Sequence, residues 1–219
     1  MRVHYCCVYY SELANKNEAR TEPYWQSRAF SWAVKTGKFK NNFTIVYRKK
    51  PIGINKSNIH RAREIFGSFI EAILKQEKVS DDVLLIPVPS RDATLDVTNY
   101  RSLIMARCSL VNSDRKPYIY DGLRWSEPLK KAHERGSRSR EELKKYLKLM
   151  SDVKGKKAFL IDDIFTKGGT LLASKDVLEA AGVEVLGAIT AAKTVYDFNT
   201  EPFGYQSIDL INELNDYAA

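Results

Sequence analysis

Residues 158–171 read AFLIDDIFTKGGTL. The apolar run 158–161 suits a strand buried on both faces, and two adjacent carboxylates, Asp162 and Asp163, close it. A short loop of Thr166, Lys167, Gly168, Gly169 and Thr170 comes next. It opens a helix predicted over 169–181, with Gly182 suited to the C-terminal cap. A second apolar strand is predicted at 183–190.

The same alternation extends outward. Upstream, VLLIPVPS at 83–90 reads as an apolar strand stopped by prolines, followed by a helix over 98–111 and a short strand at 117–121. Residues 59–76 place Ile59, Phe66, Ile70 and Ile73 on one helical stripe. Strands are predicted at 2–10 and 43–48, a helix at 24–34, and helical character from about 138 to 149. The tail, 196–219, reads as a loop with a short acidic helix around 207–214. Apolar strands alternating with helices predict an α/β fold: a mostly parallel twisted sheet flanked by helices. The expected divisions are an N-terminal elaboration over 1–58, a core over 59–195 with a mobile basic loop at 122–141, and an acidic tail over 196–219.

In open α/β sheets ligands collect at the carboxyl ends of the strands, where Asp162 and Asp163 are expected. A carboxylate pair there needs a partner, and either a ribose diol or a Mg²⁺ ion supplies one. The glycine loop offers successive backbone N–H groups and a helix N-terminus, which together suit a phosphate. One strand–loop–helix unit thus has places for a diol or metal and for a phosphate. By spacing alone, a plain turn and helix cap would read the same. Neither GxxxxGK[ST] nor GxGxxG after a strand occurs.

Charge bears on the choice of ligand. The chain of 219 residues carries a net charge of +8. Residues 124–148 hold nine Lys/Arg and four Glu, and residues 195–219 hold five acids and no Lys or Arg. A body this basic attracts polyanions, although a solvated surface would look alike. No stretch reaches the ~18 apolar residues of a membrane span. The N-terminus reads as a strand, not as an export signal. The three cysteines show no CxxC spacing, so a disulfide framework or structural zinc is not expected, and a cytoplasmic location is.

At residues 158–171 the chain resembles the PRPP (phosphoribosyl pyrophosphate) motif of type I phosphoribosyltransferases. Upstream, 84–90 is similar to the strand and pyrophosphate loop of the ComF-type competence group within that family. Asn99-Tyr100-Arg101 resembles the start of its next helix, and 124–141 resembles its mobile catalytic loop. The resemblance implies a PRPP-dependent pentosyltransferase that uses Mg²⁺. Asp162 and Asp163 would hold ribose hydroxyls and the metal, directly or through water, and would act in catalysis together with Arg91. Thr166, Lys167, Gly168, Gly169 and Thr170 would cradle the 5-phosphate, and Ser90 and Arg91 would face the pyrophosphate. Arg124, Lys130, Lys131, Arg135 and Arg140 would form the mobile loop. A nitrogen nucleophile, base or amine, displaces pyrophosphate in this family. Some members carry an acid at the position of Thr166, which threonine cannot replace as a base near neutral pH. Residues 1–58 resemble no substrate-recognising hood, so the nucleophile stays open. Two other roles fit the same fold: a regulatory or effector subunit of a nucleic-acid-containing antiphage or retron-type complex, and a PRPP sensor without turnover. A homo-oligomer or membership of a larger complex is expected, with no membrane partner.

Other residues read more plainly. His133 suits a surface loop, and His4 and His60 suit structural positions. Trp25, Trp32, Tyr24 and Phe30, near Arg28 and Lys35, suit a helix packing its aromatic face on the sheet, with stacking of a base or of a single strand as the alternative.

Overall fold

Ala158, Phe159, Leu160 and Ile161 are all buried because helices cover both faces of the strand that carries them. The computed structural model describes residues 1–11, 20–47, 50–113, 118–129 and 139–210. The expected mobile-loop residues Lys130, Lys131 and Arg135, together with His133, lie outside them.

In chain order the described elements are β1 (Arg2–Tyr10), α1 (Glu22–Thr36), β2 (Phe43–Tyr47), β3 (Lys50–Ile54) and α2 (Arg61–Gln76). Next come β4 (Leu84–Pro87), α3 (Arg101–Ser109), β5 (Tyr118–Ile119), β6 (Leu123–Trp125) and α4 (Arg140–Tyr146). The last are β7 (Leu147–Leu149), β8 (Lys157–Phe165), α5 (Gly169–Ala180), β9 (Glu184–Val195) and β10 (Phe203–Asp209). Six strands form the central sheet in the order β10-β1-β9-β8-β4-β5. Five of them run parallel, and β10 lies antiparallel on β1. This is the mostly parallel α/β sheet that the alternation predicts. Two small antiparallel pairs, β2–β3 and β6–β7, stand beside it.

Two apolar clusters occupy the two faces. One joins Phe30 and Val34 of α1, Phe66 and Ile70 of α2 and Met105 of α3 to Phe159, Ile161 and Ile189 of the sheet. The other joins Leu171, Leu172 and Leu178 of α5 and Leu143 of α4 to Leu160, Ala188 and Val3. Burial at ~25 cal/mol per Å² on both faces favours these near-continuous apolar strands. Among the described residues no helix is long and apolar enough to cross a membrane.

β1, within the expected N-terminal elaboration over 1–58, lies inside the central sheet, paired from Val3 to Tyr10 with β9. The structure departs from the sequence expectations at several elements. The tail is not helical at 207–209. Those residues end β10, whose aromatic and β-branched residues close the open edge of β1, and 211–214 lie outside the described residues. The helix expected to about 149 stops at Tyr146, and Leu147–Leu149 pairs with β6 instead. β8 continues to Phe165, since β9 extends beside it, so the two acids sit within the strand's last part.

One contact makes a sharp test of the helical layer. A Cβ on Gly67 of α2 would lie 1.7 Å from the Ser109 carbonyl oxygen at the end of α3. Alanine in a helix interior normally gains about 1 kcal/mol over glycine. Overpacking against backbone costs about 1–3 kcal/mol and has no flexible side chain to absorb it. Gly67→Ala is therefore expected to lower the denaturant midpoint, despite its better helix propensity.

Candidate functional site

β4 ends beside β8, with Pro87 opposite Ile161, just before the two acids in the last part of β8. The Val88 N–H donates to the Ile161 carbonyl at 2.8 Å. That bond sets the loop after β4 one residue from Asp162.

Asp163 is 5% exposed and faces α1 and α3. Lys35, near the end of α1, donates to its Oδ1 at 2.9 Å. Arg101, the first residue of α3, brings Nε to 3.6 Å from Oδ2. The Ile164 N–H also donates to Oδ1, at 2.6 Å. Asp163 thus ties two helices to β8. Asp162 is half-buried, and one of its oxygens accepts the Asp163 N–H at 2.8 Å. No described side chain donates to the other. Burial, then the charge of Asp163, raises the Asp162 carboxyl to about 7, while the Asp163 N–H, Lys35 and Arg101 pull it down.

Beyond β8, Thr166 is exposed and shares a hydrogen bond with the Thr194 hydroxyl at 3.0 Å. Lys167 is exposed, and Gly169 and Thr170 are half-buried. Gly168 has φ +70, and a Cβ there would lie 2.4 Å from Leu210. Only glycine meets both demands. α5 begins with no side-chain cap and no acid in its first turn. α4 is different: Ser139 caps it by accepting from the Glu142 N–H, and Glu141 and Glu142 neutralise its start. The first turn of α5 thus leaves its N–H dipoles unneutralised by this chain's described side chains, a suitable place for an anion.

The loop after β4 forms the facing wall. Ser90 is buried, its N–H donates to Ser102 Oγ at 3.1 Å, and its hydroxyl donates to Asp92 at 2.7 Å. Ser102 Oγ donates in turn to the Val88 carbonyl at 2.5 Å. Arg91 is exposed and makes no ion pair with a described residue. Trp125 Nε1 donates to the Pro89 and Ser90 carbonyls, both at 3.1 Å. Its backbone N–H donates to the Ala93 carbonyl at 2.8 Å. Sequence reasoning missed Trp125, since a three-residue strand has no readable period. Trp125→Phe keeps the apolar filling but removes both bonds to the loop carbonyls. It is expected to loosen the loop after β4, with a stability loss of about 1–2 kcal/mol. A denaturant melt, beside amide hydrogen exchange at 90–93, checks both.

Arg124 and Arg140, two of the residues expected in the basic loop, lie on regular elements. Arg124 is buried in β6, forms a two-point ion pair with Asp121, and lies with Cζ 4.4 Å from the Tyr100 ring centre. Burial pushes the Asp121 carboxyl up, and hydrogen bonds from Arg124 and Tyr100 more than offset this, leaving it below its usual range. Burial raises the Tyr100 phenol strongly. Arg140 opens α4 and pairs with Asp176 of α5, its Nε 2.6 Å from Oδ2. The structure therefore brings Asp162, Asp163, Ser90, Arg91 and the 166–170 loop to one edge, adds Lys35 and Arg101, and holds Arg124 and Arg140 in packed pairs.

No curated protein matches the chain. Among solved structures it is similar to an adenine phosphoribosyltransferase, at 12% identity over 75% of this chain and 89% of that one, TM-score 0.43. It is also similar to the adenine phosphoribosyltransferase of Saccharomyces cerevisiae, at 11% identity over 75% and 88%, TM-score 0.43. A hypoxanthine phosphoribosyltransferase of Staphylococcus aureus matches at 13% identity over 67% and 80%, TM-score 0.39. The family profile described as the phosphoribosyl transferase domain matches residues 124–197, a span that holds both carboxylates and the whole glycine loop.

Proposed function

We propose that the chain is a cytoplasmic phosphoribosyltransferase that binds PRPP and transfers ribose 5-phosphate to a nitrogen nucleophile with release of pyrophosphate. The observation that carries this is the pairing of a half-buried carboxyl, Asp162, with the uncapped start of α5 on one strand–loop–helix unit. A sugar phosphate is the ligand with a diol for the first and a dianion for the second. The phosphoribosyl transferase profile over the same residues supports it.

In this reading Asp162 accepts hydrogen bonds from the ribose hydroxyls, and the N–H groups of 168–170 hold the 5-phosphate, with Thr166, Lys167 and Thr170 around it. Arg91 meets the pyrophosphate, where negative charge grows as the C1–O bond breaks. Asp163, already engaged by Lys35 and Arg101, positions the edge. Thr166 cannot take a proton near neutral pH, so the nucleophile needs no strong base from this position.

The family implies Mg²⁺. Among the described residues no group of three or more His, Cys, Asp or Glu gathers for a metal. Mg²⁺ does not require one, because it keeps waters and uses one or two carboxylates with substrate phosphates. Asp162 has a carboxylate oxygen to offer, while Asp163 is occupied. When bound, Mg²⁺ neutralises charge on the pyrophosphate.

Calorimetry with PRPP, with and without Mg²⁺, tests binding. Pyrophosphate release over a panel of bases and amines tests transfer. Micromolar, Mg²⁺-dependent PRPP binding is expected. Heat absent under every Mg²⁺ condition would remove the basis for the assignment.

A further inference from the structure

The helix α1 divides its aromatic residues between two surroundings. Tyr24 and Phe30 are buried, as packing on the sheet requires. Trp25 and Trp32 are not, with 51% and 39% of their surfaces exposed. They line an open cavity of about 600 Å³ between α1 and the β2–β3 hairpin. The core therefore does not account for either tryptophan, and the expectation of a wholly packed aromatic face is corrected for these two.

The cavity's surroundings narrow the ligand. Arg20 Cζ lies 4.5 Å from the Trp25 ring centre, Arg28 Cζ lies 5.1 Å from that of Tyr9, and Lys40 Nζ lies 5.8 Å from that of Trp32. Residues 20–58 hold nine Lys/Arg against the single acid Glu22. An aromatic cage for a cation is excluded by this charge, which repels a further cation. The ligand must be anionic and must offer flat apolar faces. Trp25 and Trp32 stand two helical turns apart on the same face, about 10.5 Å along the axis. One base cannot touch both, but successive positions of a polymer can. Duplex bases are stacked on each other and present no face.

We propose that the groove between α1 and β2–β3 binds single-stranded nucleic acid, with bases stacked on Trp25 and Trp32 and phosphates tracked by Arg28 and Lys40. This lies beyond phosphoribosyl transfer and does not depend on it. Aromatic platforms in a cationic groove are the usual means of sequence-tolerant single-strand binding.

The test uses the full chain and a labelled oligothymidylate of about 12 nucleotides. Fluorescence anisotropy is expected to show binding that weakens about tenfold between about 50 and 200 mM salt. Tryptophan emission should be quenched on binding. Trp25→Ala and Trp32→Ala should each weaken binding about tenfold, and Lys40→Glu, which leaves both rings in place, should flatten the salt dependence. Circular dichroism confirms that each variant is folded. Unchanged affinity in both tryptophan variants overturns the proposal, as does salt-independent binding. So does a duplex that binds as tightly as the single strand, or thymidine monophosphate that binds as tightly as the oligomer.

Discussion

On the proposed function, Asp162→Asn is expected to lower PRPP-dependent turnover by about 100- to 1,000-fold while making the protein more stable at pH 8. Asparagine keeps the size of the side chain and one carbonyl acceptor. Its neutral oxygen is a weaker acceptor for hydroxyls and a weaker ligand for a cation than a carboxylate, so the losses fall on ligand and turnover. The stability gain follows from the raised carboxyl of Asp162, about 7 against an ordinary 3.8. Between about pH 4 and 7 the folded chain holds this proton and the unfolded chain does not. The contribution of Asp162 to stability therefore falls as pH rises through that window. Above it the folded parent carries a partly desolvated charge beside Asp163, whereas the asparagine variant carries none at this position. A gain of ~1–3 kcal/mol at pH 8, kept low because Asp162 retains some exposure, should disappear near pH 4. On the proposed function the same carboxyl governs binding: PRPP affinity of the unaltered protein should rise with pH toward about 7 more steeply than that of the variant, whose remaining rise follows the ligand's own phosphate near pH ~6. Thermal melts at two pH values and calorimetric titrations across pH 5.5–8.5 check each part. A variant that binds PRPP as well as the parent would exclude Asp162 from the ribose site.

What was legible in the sequence was what depends on local pattern. The parallel strands could be read because burial on both faces demands unbroken apolar runs, as at 83–88 and 158–161. The long helices could be read because Phe66, Ile70 and Ile73 recur on one stripe. The strand–loop–helix unit was visible because all its parts lie within a dozen residues. What failed had another origin. β3 contains Pro51 and Gly53, which read as breakers, and β6 and β7 have three residues each, too few to show a period. β10 is an edge strand and needs only one partner, so polar residues such as Gln206 and Ser207 enter it freely. Asp163 and Lys35 are 128 positions apart, and no local rule relates them. The burial of Arg124 depends on Asp121 and Tyr100, a trio that only the folded chain assembles.

The Asp163–Lys35 pair supplies the other large effect. Asp163→Asn is expected to destabilise the protein by about 3 kcal/mol, because Lys35 is left with its side chain three-quarters buried and its ammonium without this carboxylate. Arg101 softens the loss little, since its side chain is 42% exposed and can turn to water. Lys35→Met alone leaves Asp163 buried with only Arg101 and the Ile164 N–H beside it, and should cost a similar amount. The double variant removes both charges and packs a methionine along the path of the lysine stem. It is expected to cost less than either single variant, recovering about 4 kcal/mol of the ~6 kcal/mol summed loss, a coupling that a denaturant double-mutant cycle measures directly. Ligand binding then separates two roles for Asp163. If it serves only to hold α1 and α3 against β8, the double variant should bind PRPP within about tenfold of the parent once stability returns. If its carboxylate leaves Lys35 to grip the ribose, binding stays abolished although the fold is restored. The geometry, with Lys35 and the Ile164 N–H on Oδ1 and Arg101 beside Oδ2, favours the first outcome.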